Sequence, residues 1–248
     1  MDRILLVTGG SRGIGAATAR LAAARGWDVA INYTRDAAAA QAVAADVRAA
    51  GRRALLLQAD VADEAQVLAM YAHLDRAWGR LSGLVNNAGV VDVAQRVDEM
   101  SAARIRRMFE INVYGSLWCA REAVRRMSMR HGGPGGAIVN LSSVAAKLGA
   151  PGQYVDYAAA KGAIDAFTLG LAREVAAEGV RVNAVRPGII ATEIHASGGQ
   201  PDRAERLAPQ VPMQRAGSAE EVAEAVLWLL SDAASYTTGA VLDVGGGR

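Results

Sequence analysis

Short apolar runs alternate with long amphipathic stretches from one end of the chain to the other. Ile4 to Val7, Val29 to Tyr33, Ala54 to Gln58, Gly83 to Asn86, Ala137 to Leu141, Val180 to Val185 and Ala240 to Val244 read as strands. Runs as continuous as Leu5-Leu6-Val7 suit strands buried on both faces. Between them, Gly13–Arg25, Ala37–Ala50, Glu64–Trp78, Ser101–Met129, Tyr154–Glu178 and Ala219–Ser231 read as helices, the fourth as two helices meeting near Asn112. Strands separated by helices predict one α/β domain spanning 1–248, a doubly wound seven-stranded parallel sheet with helices on both faces. The one long irregular stretch, Thr192 to Pro212, is rich in Gly, Pro and charge and reads as a substrate-binding loop or lid.

Composition narrows the class. Of the 248 residues 52% are hydrophobic, much of that alanine, and no uninterrupted apolar run approaches the ~18 residues of a membrane span. Met1-Asp2-Arg3 runs directly into Ile4-Leu5-Leu6-Val7, without the basic, apolar and cleavage regions of a secretory signal. The single Cys119 leaves no intrachain disulfide and suits a reducing, cytoplasmic setting. Twenty-seven basic and 25 acidic residues are interspersed for a net charge of +2, so neither nucleic acid nor a membrane is indicated as partner. Arg104 to Arg107 and Arg125-Arg126 read as solvated helix faces. His73, His131 and His195 are too scattered to suggest a metal set.

Two local patterns carry chemistry. Tyr157 and Lys161 stand four apart on a predicted helix, so a phenol and an ammonium project from one face. A cation fixed beside the phenol favours the phenolate and would lower its pKa toward the range of a general acid/base. Between the first strand and first helix lies Thr8-Gly9-Gly10-Ser11-Arg12-Gly13-Ile14-Gly15. Glycines there let the backbone approach a pyrophosphate at the helix N-terminus, although their spacing at 9, 13 and 15 departs from G-x-G-x-x-G.

Together these patterns resemble the classical short-chain dehydrogenase/reductase family, and further motifs recur in order along the whole chain. Asp60-Val61 follows the third strand, Asn86-Asn87-Ala88-Gly89 ends the fourth, and Asn112 lies in Phe109-Glu110-Ile111-Asn112-Val113. Ser142-Ser143 ends the fifth strand, and Pro187-Gly188 follows the sixth with Thr192 after it. The resemblance implies a Rossmann-type fold, a hydride transferred between a nicotinamide cofactor and a carbonyl or secondary alcohol, and a homotetramer. It implies a catalytic tetrad of Asn112, Ser143, Tyr157 and Lys161. Tyr157 exchanges a proton with the substrate oxygen, Ser143 holds that oxygen, Lys161 tunes the tyrosine and binds the nicotinamide ribose, and Asn112 anchors a relay water.

The implied cofactor residues are Gly9, Ser11, Arg12, Gly13, Ile14 and Gly15, then Thr34, Arg35, Asp60 and Val61. Asn87, Ala88, Gly89, Tyr157, Lys161, Pro187, Gly188, Ile190 and Thr192 complete them. An acidic residue ending the second strand would select NAD; Tyr33 stands there, and Arg12 and Arg35 are placed to clamp a 2′-phosphate, which favours NADP over NAD. Asp36 leaves the alternative open, because a small register error would put a carboxylate at the ribose.

Ser143 is preferred over its neighbour Ser142, with fourteen positions to Tyr157 where the family has thirteen. Substrate contacts are assigned to Ser143, Tyr154 and His195, beside an apolar wall of Ile189, Ile190 and Ile194. The expected substrate is a small sugar, polyol or ketone. Reduction of 3-oxoacyl groups on acyl carrier protein is the alternative, supported by Arg130 and opposed by Glu178, an acid where a second docking base is expected. A nucleotide-sensing scaffold without turnover is a further alternative, disfavoured because the tetrad is complete.

Overall fold

The computed structural model describes residues 3–79 and 81–248, the side chain of His195 excepted. Seven strands form one sheet: β1 (Arg3–Val7), β2 (Trp27–Tyr33), β3 (Ala54–Gln58), β4 (Gly83–Asn86), β5 (Gly136–Leu141), β6 (Val180–Pro187) and β7 (Val241–Val244). Their order is β3-β2-β1-β4-β5-β6-β7, and every pairing is parallel. Leu6 of β1 sits between Ala30 and Leu84. The order reverses between β1 and β4, so the connections on either side of that point leave a crevice at the carboxyl edge.

Period two sorts the strand residues onto two faces. Leu5 and Val7 join Val29, Ile31, Val85 and Val139 under α1 (Gly13–Ala24), α2 (Ala37–Ala49) and α10 (Ala219–Leu230). Ile4 and Leu6 join Ala30, Leu84, Ile138 and Val182 under α3 (Glu64–Trp78), α5 (Gly115–Met127) and α7 (Val155–Val175). The helices start where short polar side chains can take up free N–H groups. Asp36, Asp63 and Ser101 cap α2, α3 and α4 (Ala102–Phe109), and Ser218 with Glu221 forms a capping box on α10. None of the described helices is long and apolar enough to cross a membrane.

The helices of 101–129 meet near Asn112 as expected, joined by a π turn, Glu110–Tyr114, that contains it. A one-residue widening of this kind leaves no break in hydrophobic period from which to read it. The stretch 192–212 is not irregular: it holds α8 (Ile194–Ser197), α9 (Arg203–Leu207) and a 3-10 turn, Ala208–Gln210, anchored by a small core of Ile189, Ala204, Leu207 and Val211. A four-residue helix, α6 (Ala145–Leu148), and a turn through Gly149, Ala150 and Gly152, all with positive φ, occupy the span between Ser143 and Tyr157.

The N-terminus of α7 is fixed by a buried ion pair. Arg104 of α4 donates from Nε to Asp156 Oδ2 at 2.8 Å and from Nη2 to Oδ1 at 3.3 Å, with side chains only 7% and 3% exposed. Arg104 also donates to the Val93 carbonyl at 2.7 Å, and Asp156 Oδ1 accepts the Tyr157 N–H at 2.9 Å. Farther along α7, Asn86 donates to Asn140 at 3.0 Å and Asn140 to Thr168 at 2.9 Å, tying β4, β5 and α7 together inside the core. Removing one partner of a buried pair strands the other charge. Arg104→Met should therefore cost roughly 3–5 kcal/mol in urea unfolding. The Arg104→Met/Asp156→Leu double variant should recover part of that loss, and a single variant as stable as the parent would show that the pair does not brace α7.

Candidate active site

The glycine loop leaves β1 at the reversal of strand order. Thr8 Oγ1 donates to Val85 O at 3.3 Å and accepts the N–H groups of Asn87 and Ala88, both at 3.0 Å. Asn87 Nδ2 returns to Thr8 O at 2.9 Å and Gly9 O at 3.0 Å, and Asn32 Oδ1 accepts the Gly9 N–H at 3.2 Å. A Cβ on Gly15 would lie 2.4 Å from Gly9 O and 2.5 Å from Asn87 Nδ2, so the first turn of α1 closes on the loop only without a side chain there. Ser11, Gly13 and Ile14 complete the loop. No side chain caps α1 and no acid lies in its first turn. Such a glycine cradle at a helix N-terminus without a side-chain cap fits the pyrophosphate of a dinucleotide.

At the end of β2 the register is now defined. Tyr33 is the last strand residue, and the Asp36 carboxylate is used as the α2 cap, accepting the Ala39 N–H at 2.9 Å. No carboxylate therefore ends the strand. Arg12 and Arg35 are exposed and make no side-chain hydrogen bond or ion pair among the described residues. Thr34 is exposed beside them, and Asp60, at the end of β3, turns its Oδ1 to the Ala62 N–H at 3.0 Å, next to buried Val61.

A cavity of about 340 Å³ opens between these loops and the segment 187–210. Asn87, Gly89, Ser143, Tyr157, Lys161 and Thr192 reach it, as do Ile14, Pro187, Gly188 and Ile190. Lys161 Nζ donates to Leu141 O at 2.7 Å and stands 5.6 Å from the centroid of the Tyr157 ring. Gly89 lets this ammonium and Asn112 approach: a Cβ there would lie 2.8 Å from Asn112 Oδ1 and 3.6 Å from Lys161 Nζ. The Asn112 amide gives its hydrogens to Val90 O at 3.1 Å and Met108 O at 3.0 Å, while Oδ1 accepts the Val90 N–H at 3.2 Å. The main-chain carbonyl of Asn112 already accepts from Ser116 Oγ at 3.3 Å, so of the side chain only acceptor capacity on Oδ1 remains for a relay water. The two serines are separated by the structure. Buried Ser142 donates to Lys161 O at 3.2 Å and struts α7, whereas half-buried Ser143 faces Tyr157.

The electrostatics correct one expectation. Lys161 does not hold the phenol low: burial pushes Tyr157 up to about 12, against a smaller downward pull from Ser143. Burial also pushes Lys161 down to about 8, outweighing the opposite effect of Asp165. Both groups leave water for a cavity lined by no aspartate or glutamate side chain, and Tyr157 enters neutral pH as an acid.

Val91, Val144, Leu148, Ile189, Ile194 and Leu207 form a mainly apolar wall of the same cavity. Tyr154 lies in this wall and accepts a hydrogen bond from Gln200 Nε2 at 2.7 Å. The expected contact of His195 concerns a side chain outside the described residues. Sequence reasoning missed Asn32, whose signal was one amide in an otherwise apolar run, and it placed Arg104 on a solvated helix face, which the buried pair with Asp156, 52 residues away, overturns. It also missed Arg203, which stacks on Tyr154 with its guanidinium carbon 5.1 Å from the ring centroid. Cys119 is buried, its thiol pushed up to about 12 by desolvation, and takes no part.

Known proteins share this architecture. A family model described as enoyl-(acyl carrier protein) reductase matches residues 9–248. The oxidoreductase YgfF of Escherichia coli is 56% identical over 245 residues, 99% of each chain. A cis-4-hydroxycyclohexanecarboxylate dehydrogenase of Sinomonas cyclohexanicum is 43% identical over 248 residues, covering 99% of this chain and 96% of its own. A short-chain dehydrogenase of Burkholderia cenocepacia, solved in complex with NADP, aligns with a TM-score of 0.90 at 36% identity over 99% of this chain and 97% of that one.

The buried ammonium has a direct test, because Lys147 and Lys161 are the two lysines of the sequence. With ε-carbon-labelled lysine, the resonance absent from Lys161→Met should titrate near pH 8 in the cofactor-free protein. Between about 8 and the ordinary 10.5, the unfolded chain binds more protons at this site than the folded one. This site's contribution to stability therefore rises with pH through that window and is least below it. A midpoint at or above 10.5 would show that Lys161 is not desolvated.

Proposed function

The chain belongs to the short-chain dehydrogenase/reductase family, and from that premise we propose that it transfers a hydride between NADP(H) and a small carbonyl compound or secondary alcohol. The carrying observation is the convergence of Ser143, Tyr157 and Lys161 on one cavity that opens beside the glycine cradle. The dinucleotide supplies the hydride when bound; the chain's own residues bind, orient and move the proton. The phenol of Tyr157, protonated at neutral pH, donates its hydrogen to the carbonyl oxygen in reduction and takes it back in oxidation. Ser143 Oγ holds the same oxygen and stabilises the charge that develops on it. Lys161 keeps a positive potential beside the phenol, fixed by Leu141 O, and gives the nicotinamide ribose a hydrogen-bond donor. Asn112 braces the Gly89–Val90 turn and offers the remaining acceptor capacity of Oδ1 to a relay water.

Preference for NADP is supported by the absence of an acid ending β2 and by the uncommitted guanidinium groups of Arg12 and Arg35. The related Burkholderia structure holds NADP. Among the substrates considered from the sequence, the apolar walls favour a small ketone over a sugar or polyol, whose hydroxyls would find few partners. The relative named for cis-4-hydroxycyclohexanecarboxylate fits that reading. An acyl-carrier substrate is suggested by the family description, yet Arg130 lies 3.9 Å from Glu178, and that acid would face an acidic carrier. A cytoplasmic homotetramer completes the proposal. Light scattering should return four times the 25.8 kDa chain mass; a monomer would remove that part.

Two measurements test the chemistry. Tyr157→Phe should lower kcat for NADPH-dependent ketone reduction by roughly 10²–10⁴-fold with little change in NADPH binding. If no carbonyl compound or alcohol supports turnover of the parent protein while NADPH still binds, the enzyme reading fails. Arg12→Ala/Arg35→Ala should weaken NADPH roughly 10- to 100-fold, the scale of lost charge-assisted hydrogen bonds, and NADH far less. An equal effect on both nucleotides would overturn the phosphate clamp.

A further inference from the structure

The cavity has a charge imbalance that hydride transfer does not require. Its lining contains three cations, Lys161, Arg203 and Arg248, and no aspartate or glutamate. Arg203 is half-buried on α9. Its Nη1 donates to Gln200 Oε1 at 3.1 Å and its Nη2 to Gln153 Oε1 at 2.8 Å, so its partners are neutral amides. Other arginines withdrawn from solvent end differently. Arg104 meets Asp156, Arg126 meets Asp75 and Glu122, and Arg186 meets Asp165 and Asp243. Arg181, which meets no carboxylate, spends its donors on the main-chain carbonyls of Leu229, Ser231 and Thr237.

Resting on the oxidoreductase reading, we propose that Arg203, with Arg248 beside it, binds an anionic group of the substrate, so that the natural substrate is a keto acid or hydroxy acid. A partly buried guanidinium without a counter-charge is costly, and a substrate carboxylate entering the cavity offsets that cost. Burial, Arg206 and Arg248 all push Arg203 toward losing its proton, while Tyr154 acts in the opposite sense; an anion relieves the repulsion among the three arginines. Stacking on Tyr154 orients the planar fork, which matches a carboxylate better than an ammonium does. Tyr154 precedes Tyr157 by three residues, about one turn of helix, which places the anion site near the reacting oxygen but distinct from it. Val144, Leu148 and Leu207 supply apolar surface for the carbon skeleton between them.

The test compares 5-oxohexanoate with its uncharged methyl ester, using NADPH and the whole protein, and follows binding of the non-reducible hexanoate and hexanamide by thermal unfolding. The parent protein should favour the acid in kcat/KM by roughly 10- to 100-fold, and hexanoate but not hexanamide should raise Tm. In Arg203→Met the acid-to-ester ratio should fall toward one, and in Arg203→Lys it should fall only in part. Equal use of acid and ester by the parent protein, with no hexanoate shift, overturns the anion site while leaving the oxidoreductase reading intact. A hexanoate shift lost in Arg203→Met, with neither carbonyl compound reduced, supports the anion site and counts against the redox reading. The parental comparison needs no variant to fold, and Arg248→Gln gives a second perturbation of the same cluster.

Discussion

Parallel pairing is the constraint on which this molecule depends. Seven strands running the same way must each return across a face of the sheet, so every loop at a carboxyl end is delivered to the same edge. Where the order reverses between β1 and β4, that edge opens into a crevice. The glycine loop, the Asn87–Gly89 turn, Ser143 and the segment 187–210 all meet there although they lie far apart in the chain. The site is thus a property of the topology before it is a property of any side chain.

What the topology gathers, buried polar contacts hold still. Thr8, Asn32 and Asn87 stitch the glycine loop to β2 and β4 by side-chain and main-chain bonds in both directions. The start of α7 is clamped by Arg104 and Asp156, and its middle by Ser142 and by Asn140 through Thr168. These contacts keep Tyr157 and Lys161 in a place neither would choose on solvation grounds, since burial disfavours the charged form of each. The solvation cost is local, while the bracing of α7 is distributed over α4 and β5.

The same balance of charge distinguishes the substrate end. Elsewhere the protein answers a withdrawn arginine with a carboxylate or with helix-terminal carbonyls. At Arg203 it answers with two glutamines and an open cavity. Apolar walls around an unanswered cation describe a molecule with a hydrocarbon body and a negative end, which is a narrower class than the cofactor half of the site selects.

The sequence by itself determined the architecture and the local patterns of the glycine loop and the Tyr157–Lys161 pair. Apolar period two and helical period are local signals, so strands, helices and their alternation were legible within a residue or two, and alternation leaves few alternatives to a parallel sheet. Tyr157 with Lys161, and Gly9 with Gly13 and Gly15, were legible for the same reason, because each pattern is complete within a few residues. Only the tertiary structure decided which way the local electrostatics run. Proximity of a cation to Tyr157 suggested a lowered pKa, and the depth of burial, which no spacing records, reversed it. It also decided that Asp36 caps α2, that Ser142 is a strut while Ser143 faces the cavity, and that 192–212 is ordered by its own small core. Arg203 was invisible in sequence because its meaning lies in the carboxylate it does not meet, and an absent partner can be seen only when every neighbour has been placed.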